Sequence, residues 1–167
     1  MKKEFRILSP TAILGYGFPE SSFNRGLAEN PDLIAVDAGS TDPGPYYLGS
    51  GKSFTDRTGV KRDLRIMLRE GVSRHIPVVV GTCGGSGAAP HLAWCRDIVL
   101  EIAREERLSF RMGVIPADVG KERVVQALEA GRITALPHVP QLTHELIEES
   151  TNIVAQMGIE PIIRAHR

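Results

Sequence analysis

The sequence predicts an α/β domain: a doubly wound, mainly parallel sheet of about five strands, arranged as a Rossmann-like three-layer sandwich. Short β-rich runs alternate with amphipathic helical stretches along the chain, the pattern of strand–helix–strand units. The run Val78-Val79-Val80 is continuous and β-branched, which suits a strand buried on both faces, as parallel sheets require. The turn-forming and polar residues collect after the strand runs rather than before them. At 167 residues the chain has the size of a single domain, spanning 1–167.

The strands are expected at 5–8, 33–36, 77–80 and 111–115, with a fifth at 161–164. A helix is expected at 20–29, opened by Ser21 or Ser22. The next, over 57–74, places Val60, Leu64, Met67 and Leu68 on one stripe. The third, over 89–106, does the same with Leu92, Cys95, Val99 and Ile102. A fourth over 121–130 and a fifth over 141–157 each run into a glycine, Gly131 and Gly158, a common helix stop. The stretch 38–55 reads as a long irregular loop, and such loops in compact domains are often functional.

Bulk chemistry narrows the partners. Lys plus Arg number 20 and Asp plus Glu number 20, giving a formal net charge of zero. With the basic residues scattered, nothing calls for nucleic acid or an anionic membrane. No apolar run has membrane-spanning length, and the start Met1-Lys2-Lys3-Glu4-Phe5-Arg6 has no apolar stretch behind it. Two cysteines, Cys83 and Cys95, are too few for a disulfide framework and have no zinc-like spacing. A reducing, cytoplasmic location is the expectation.

In open α/β sheets, ligands bind beyond the carboxyl ends of the strands. The first strand is followed by Thr11 and by Gly15-Tyr16-Gly17. The second leads into Asp37-Ala38-Gly39-Ser40-Thr41-Asp42, and the third into Gly81-Thr82-Cys83-Gly84-Gly85-Ser86-Gly87 and then His91. Asp118 follows the fourth. Four loops rich in Gly, Ser, Thr and Asp should therefore meet on one edge. Four glycines in the seven residues 81–87, ahead of a helix N-terminus, are suited to an anion such as phosphate or carboxylate. The same glycines also serve a tight turn and close helix packing.

Known fingerprints fit poorly. A Walker A loop needs Gly-Lys-Ser/Thr, which the turn lacks, and Gly15-x-Gly17 continues to Glu20 where a dinucleotide loop needs glycine. Gly81-Thr82-Cys83-Gly84-Gly85 matches Gly-x-nucleophile-x-Gly, with His91, His138 or His144 as base and Asp118 as orienter of a Cys83 hydrolase. A small cysteine packed at a strand end gives the same letters. Asp37 and Asp42, beside Gly39, Ser40 and Thr41, can act as acid or base, hold a divalent metal or bind a hydroxyl. Asp37-x-Gly39-Ser40-Thr41 also resembles the first phosphate loop of the actin-like sugar kinases, but Pro43, Gly44 and Pro45 forbid the β-hairpin that should follow.

Three segments together resemble the acyclic terpene utilisation AtuA-like family. They are Leu14-Gly15-Tyr16-Gly17-Phe18-Pro19-Glu20, Val36-Asp37-Ala38-Gly39-Ser40-Thr41-Asp42-Pro43-Gly44-Pro45 and Gly84-Gly85-Ser86-Gly87. The similarity runs from the first strand to the last helix. Members of that family are usually much longer, so the resemblance implies that this chain corresponds to their amino-terminal portion. It implies room for a carboxy-terminal domain or a separate partner, and small-acid catabolism as the setting. It supplies no established catalytic residues.

Together these readings predict an enzyme, or the catalytic part of one, acting on a small carboxylate, phosphate or CoA-linked metabolite. Lyase and hydrolase chemistry are favoured. Asp37, Asp42, His91 and Cys83 are the catalytic candidates. Thr11, Gly15, Tyr16, Gly17, Gly39, Ser40, Thr41, Thr82, Gly84, Gly85, Ser86, Gly87 and Asp118 are the binding candidates. The alternative from another class is a non-catalytic ligand-binding or assembly subunit. A homo-oligomer, or a complex with a second subunit, is expected in either case.

Overall fold

A computed structural model describes residues 4–39 and 44–166. The predicted Ser40, Thr41 and Asp42 lie outside the described residues. The amino-terminal two thirds follow the expected order closely. Strand β1 (Ile7–Leu8) leads to helix α1 (Glu20–Ala28), strand β2 (Leu33–Asp37), helix α2 (Gly44–Ser50), helix α3 (Arg57–Ser73), strand β3 (Val78–Gly81), a short 3-10 turn (Cys83–Gly85) and helix α4 (Ala89–Glu105). The strands are parallel in the order β1-β2-β3. Leu8 pairs with Ile34, which pairs with Val78, and Asp37 pairs with Gly81 at the far end.

This register sorts the side chains by face, because residues alternate along a strand. Leu8, Ile34, Val36, Val78 and Val80 belong to one packed core with Phe23 and Leu27 of α1, Val60, Leu64 and Met67 of α3, and Cys95, Ile98 and Ile102 of α4. Ile7, Leu33, Ala35 and Val79 point the other way and lie outside that core. Helix α3 is started by Asp56, whose carboxylate accepts from the Thr58 and Gly59 N–H groups at 2.8 and 3.0 Å. Its partner α4 is zipped to it by charge: Lys61 Nζ meets Glu101 at 2.5 Å and Glu105 at 2.7 Å, Arg57 meets Glu101 at 2.6 Å, and Arg65 meets Glu105. The Lys61 and Arg57 hydrogen bonds hold the Glu101 carboxyl down at about 2.

The carboxy-terminal third departs from expectation. The described residues form a three-stranded sheet with its core on one face, not a five-stranded three-layer sandwich. The predicted strand 111–115 is not paired with β3. Gly113 instead lies against helix α7 (Glu160–His166), where a Cβ would stand 2.8 Å from that of Ala165. The predicted strand 161–164 is part of α7 itself. Pro161 is the second residue of this helix, in a first turn whose N–H groups need no intrahelical acceptor. The helix expected at 121–130 forms as α5 (Lys121–Glu129) and stops before Gly131 at φ 64°.

The predicted helix 141–157 shrinks to α6 (His144–Glu149). Thr143 caps its start by accepting from Leu146 N–H at 3.2 Å. Beyond Ser150 tertiary pairing wins: Val154 bridges Asp118 antiparallel, Val119 N–H donates to Ile153 O, and Ala155 N–H donates to Ala117 O. The stretch read as an irregular loop contains α2, tied down by Asn152 Nδ2–H donating to Leu48 O at 2.7 Å. Among the described residues, no helix is long and apolar enough to cross a membrane.

Candidate functional site

The four predicted loops do meet at the carboxyl edge of the sheet, and short backbone contacts record it. Leu14 N–H donates to Asp37 O at 2.8 Å, joining the first loop to the end of β2. A Cβ on Gly39 would lie 2.6 Å from Thr82 Cβ and 2.7 Å from Gly85 O, so the second and third loops touch at a position only glycine fits. On the far side, Ala89 N–H donates to Asp118 Oδ1 at 3.0 Å. The rim carries rings: Phe54 stacks edgewise on Tyr16 and on Tyr47, and seals against Gly85.

Two of the expected anion cradles are filled by the protein's own carboxylates. The N–H groups of Gly15 and Gly17 both donate to Asp63 Oδ2, at 2.9 and 3.0 Å. Both glycines have positive φ, 102° and 85°, which aims their N–H groups at one point. Arg62 holds the other oxygen, Oδ1, through Nε and Nη2 at 3.0 and 2.8 Å. Asp63 is fully buried and stands on the apolar stripe of α3, between Val60 and Leu64. Sequence reasoning missed it. The available signal was a charged residue on a buried stripe, which demands a partner.

The N-terminus of α4 is likewise occupied. Asp118 takes the N–H of Ala89, and the next residue is Pro90, which has none. Asp118 is therefore a helix cap supplied from the far side of the edge.

His91 is buried, at 1% exposure, with its Nε2 3.0 Å from Tyr47 O and 3.1 Å from Lys52 O. Both partners are carbonyls, so Nε2 carries the proton and donates. The ring fastens the segment around α2 against α4, while Nδ1 is buried without a partner among the described residues. Thr11 serves its own turn, its hydroxyl donating to Ile13 O at 3.3 Å.

Cys83 is half-buried and packs on the core, with Sγ–H donating to Val80 O at 3.7 Å. A hydrogen bond from Cys95 holds its thiol below the usual cysteine range, against the opposing effect of burial. The Cys95 thiol is pushed up by the same bond and by burial. Cys83 does not stand at the apex that a nucleophile elbow requires. That place belongs to Thr82, the first residue past β3, at φ 46° and ψ 47°. The left-handed conformation strains any β-branched residue. Thr82 is nonetheless exposed, as are Gly81 and Asp37.

Asp37 ends β2 directly opposite Gly81, and its Oδ1 accepts from Gly39 N–H at 2.9 Å. That bond fixes the carboxylate in a tight Asx turn and leaves Oδ2 for other partners. Asp37 and Thr82 thus stand on adjacent strand ends, one an acceptor or base, the other a hydroxyl held on a strained turn. The metal reading joined Asp37 to Asp42. Among the described residues there is no group of three His, Cys, Asp or Glu placed to hold an ion.

No protein-family model matches the chain, and neither the curated proteins nor the solved structures contain a match to it. The site stands on its own geometry.

Proposed function

We propose that the carboxyl edge of the sheet is a small-molecule site centred on Asp37 and Thr82, acting on a small anionic metabolite: a carboxylate, a phosphate or a CoA-linked acid. In this reading turn 81–87 receives the anionic group. Asp37 takes a proton from the carbon next to that group, or accepts a hydrogen bond from a hydroxyl on it. The observation that carries the reading is Thr82. A β-branched residue in the left-handed region costs about 1–2 kcal/mol. Such strain persists where surrounding structure enforces it, and it clusters at working sites. The AtuA-like resemblance, with its small-acid setting, agrees with this substrate class.

Calorimetric titration with inorganic phosphate and with coenzyme A tests it through Thr82→Gly. The variant relieves the strain, so its unfolding free energy should rise by about 1 kcal/mol. Affinity for the probe that binds should fall at least about tenfold, equivalent to about 1.4 kcal/mol. Binding that is unchanged in the stabilised variant would remove Thr82 from the site.

A second reading, an assembly subunit, is favoured by the surface. The chain exposes 11141 Å², where a compact globule of 18.2 kDa exposes about 8,100 Å² by the usual size scaling. The excess falls in the size range of obligate interfaces. Parallel sheets are ordinarily covered on both faces, yet Ile7, on the face away from the core, is 60% exposed. The partner proposed is a second copy of this chain laid on that face. Light scattering on a sizing column should give twice the mass of one chain, falling to one chain in Ile7→Lys. A monomer in the unmodified protein would contradict this reading.

A further inference from the structure

All three tyrosines of the chain collect on the candidate edge, in a sequence that is only 5% aromatic. Tyr16 packs edgewise on Phe54 with ring centres 6.5 Å apart, Phe54 on Tyr47 at 6.0 Å, and Tyr47 on Tyr46 at 5.1 Å. The four rings form one row from the first loop to α2. Its two ends are open to solvent, Tyr16 at 68% exposure and Tyr46 at 66%. Its middle touches the turn that follows β3, for a Cβ on Gly85 would lie 2.5 Å from Phe54 Cδ1.

The row is held rigidly at both ends. A Cβ on Gly15 would stand 3.1 Å from Thr55 Cβ and 2.9 Å from Val60 Cγ2, so the loop that carries Tyr16 is seated beside Phe54 and on α3. At the other end α2 buries none of its residues. Side chains from outside pin it instead: His91 Nε2–H donates to Tyr47 O and Lys52 O, and Asn152 Nδ2–H donates to Leu48 O. Core packing therefore does not account for the tyrosines that α2 presents. Single exposed apolar residues are ordinary, whereas a contiguous exposed patch with a polar rim marks a place of binding. Rigid rings lose little freedom when a ligand covers them.

We propose that this row is a stacking platform for a nucleobase whose phosphate reaches the turn 81–87. The inference rests on the anion reading of that turn and narrows its ligand: a flat heteroaromatic ring joined through a sugar to a phosphate. The contact between Phe54 and Gly85 makes ring and phosphate positions neighbours, as a nucleotide requires. Every base has a π-face, so stacking selects for the ring and tolerates its identity. Adenosine phosphate is the probe chemistry, supplied alike by an adenine nucleotide and by the adenosine end of coenzyme A.

The test is calorimetric titration of the full chain with ribose 5-phosphate, adenosine, AMP and coenzyme A. AMP should bind at least about tenfold more tightly than ribose 5-phosphate, the size of one base–aromatic stack. In Tyr16→Ala and Tyr46→Ala, both at exposed positions, that ratio should fall towards one, and Tyr16→Phe and Tyr46→Phe should restore it. Coenzyme A binding more tightly than AMP would assign the ring to a CoA-linked acid, and the reverse order to a nucleotide; either supports the platform. Equal affinities for AMP and ribose 5-phosphate would overturn the platform and leave the anion reading standing. Tyrosine-dependent binding of adenosine without binding of ribose 5-phosphate would do the opposite. A ratio that survives both alanine variants would also overturn the platform. So would alanine variants that split a dimer on a sizing column with the ratio unchanged, since the rings would then serve a second copy of the chain.

Discussion

Asp63→Ala should lower the unfolding free energy by about 2–4 kcal/mol, chiefly because two part-buried backbone N–H donors lose their acceptor. The substitution strips the acceptor from two backbone N–H groups, Gly15 and Gly17, and from the Arg62 guanidinium. Each orphaned buried donor costs about 1–3 kcal/mol. Asp63→Ala thus frees the first loop from α3. A small domain has about 5–15 kcal/mol in total, so the variant should be partly unfolded at physiological temperature. Asp63→Asn keeps one carbonyl oxygen for the two glycines and should lose about half as much. Urea unfolding of the three proteins measures the series. Equal stability across it would mean that the first loop is held by something other than the carboxylate.

Gly39→Ala should cost about 3 kcal/mol, the upper end for overpacking. The added carbon meets Thr82 Cβ at 2.6 Å and the backbone oxygen of Gly85 at 2.7 Å, and neither is the far end of a flexible side chain. The clash falls on the strained residue, so the variant should also reshape the edge. Adding Thr82→Gly removes one of the two obstacles. The double variant should recover part of the loss, with a coupling of at least about 1 kcal/mol between the positions. Strict additivity would mean that the two loops do not touch.

The sequence foretold the frame where local pattern and tertiary context agree. Val78-Val79-Val80 reads as a strand buried on both faces; it is a strand, but half-buried, because the packed core lies on one face of the sheet. The stripe Val60, Leu64, Met67, Leu68 reads as a core helix face and packs as one. After Leu108, α5 apart, agreement fails because local preference is overruled. Val154 is taken up in a bridge to Asp118, and the run at 111–115 lies against α7. Periodicity carries no information about such pairings, because they join segments far apart in sequence.

The site was legible as an edge but not as a set of roles. Gly15 and Gly17 look identical on paper whether they cradle a ligand or Asp63, since glycine specifies only an N–H direction. What fills the cradle is decided by a residue some 46 positions away. Asp118 misled in the same way, capping α4 and not orienting a catalytic base. Thr82 escaped the catalytic list because its backbone angle, not its letter, distinguishes it. Cys83 entered that list on a motif whose geometry belongs to its neighbour.

Amide chemical-shift mapping during titration with inorganic phosphate and coenzyme A is the most direct test that the open part of the edge is the site. One of these probes should move the amides of Gly39 and residues 82–87. Gly15 and Gly17, held on Asp63, should stay in place. Shifts confined to Gly15 and Gly17, or no shifts anywhere on the edge with either probe, would contradict a site centred on Asp37 and Thr82.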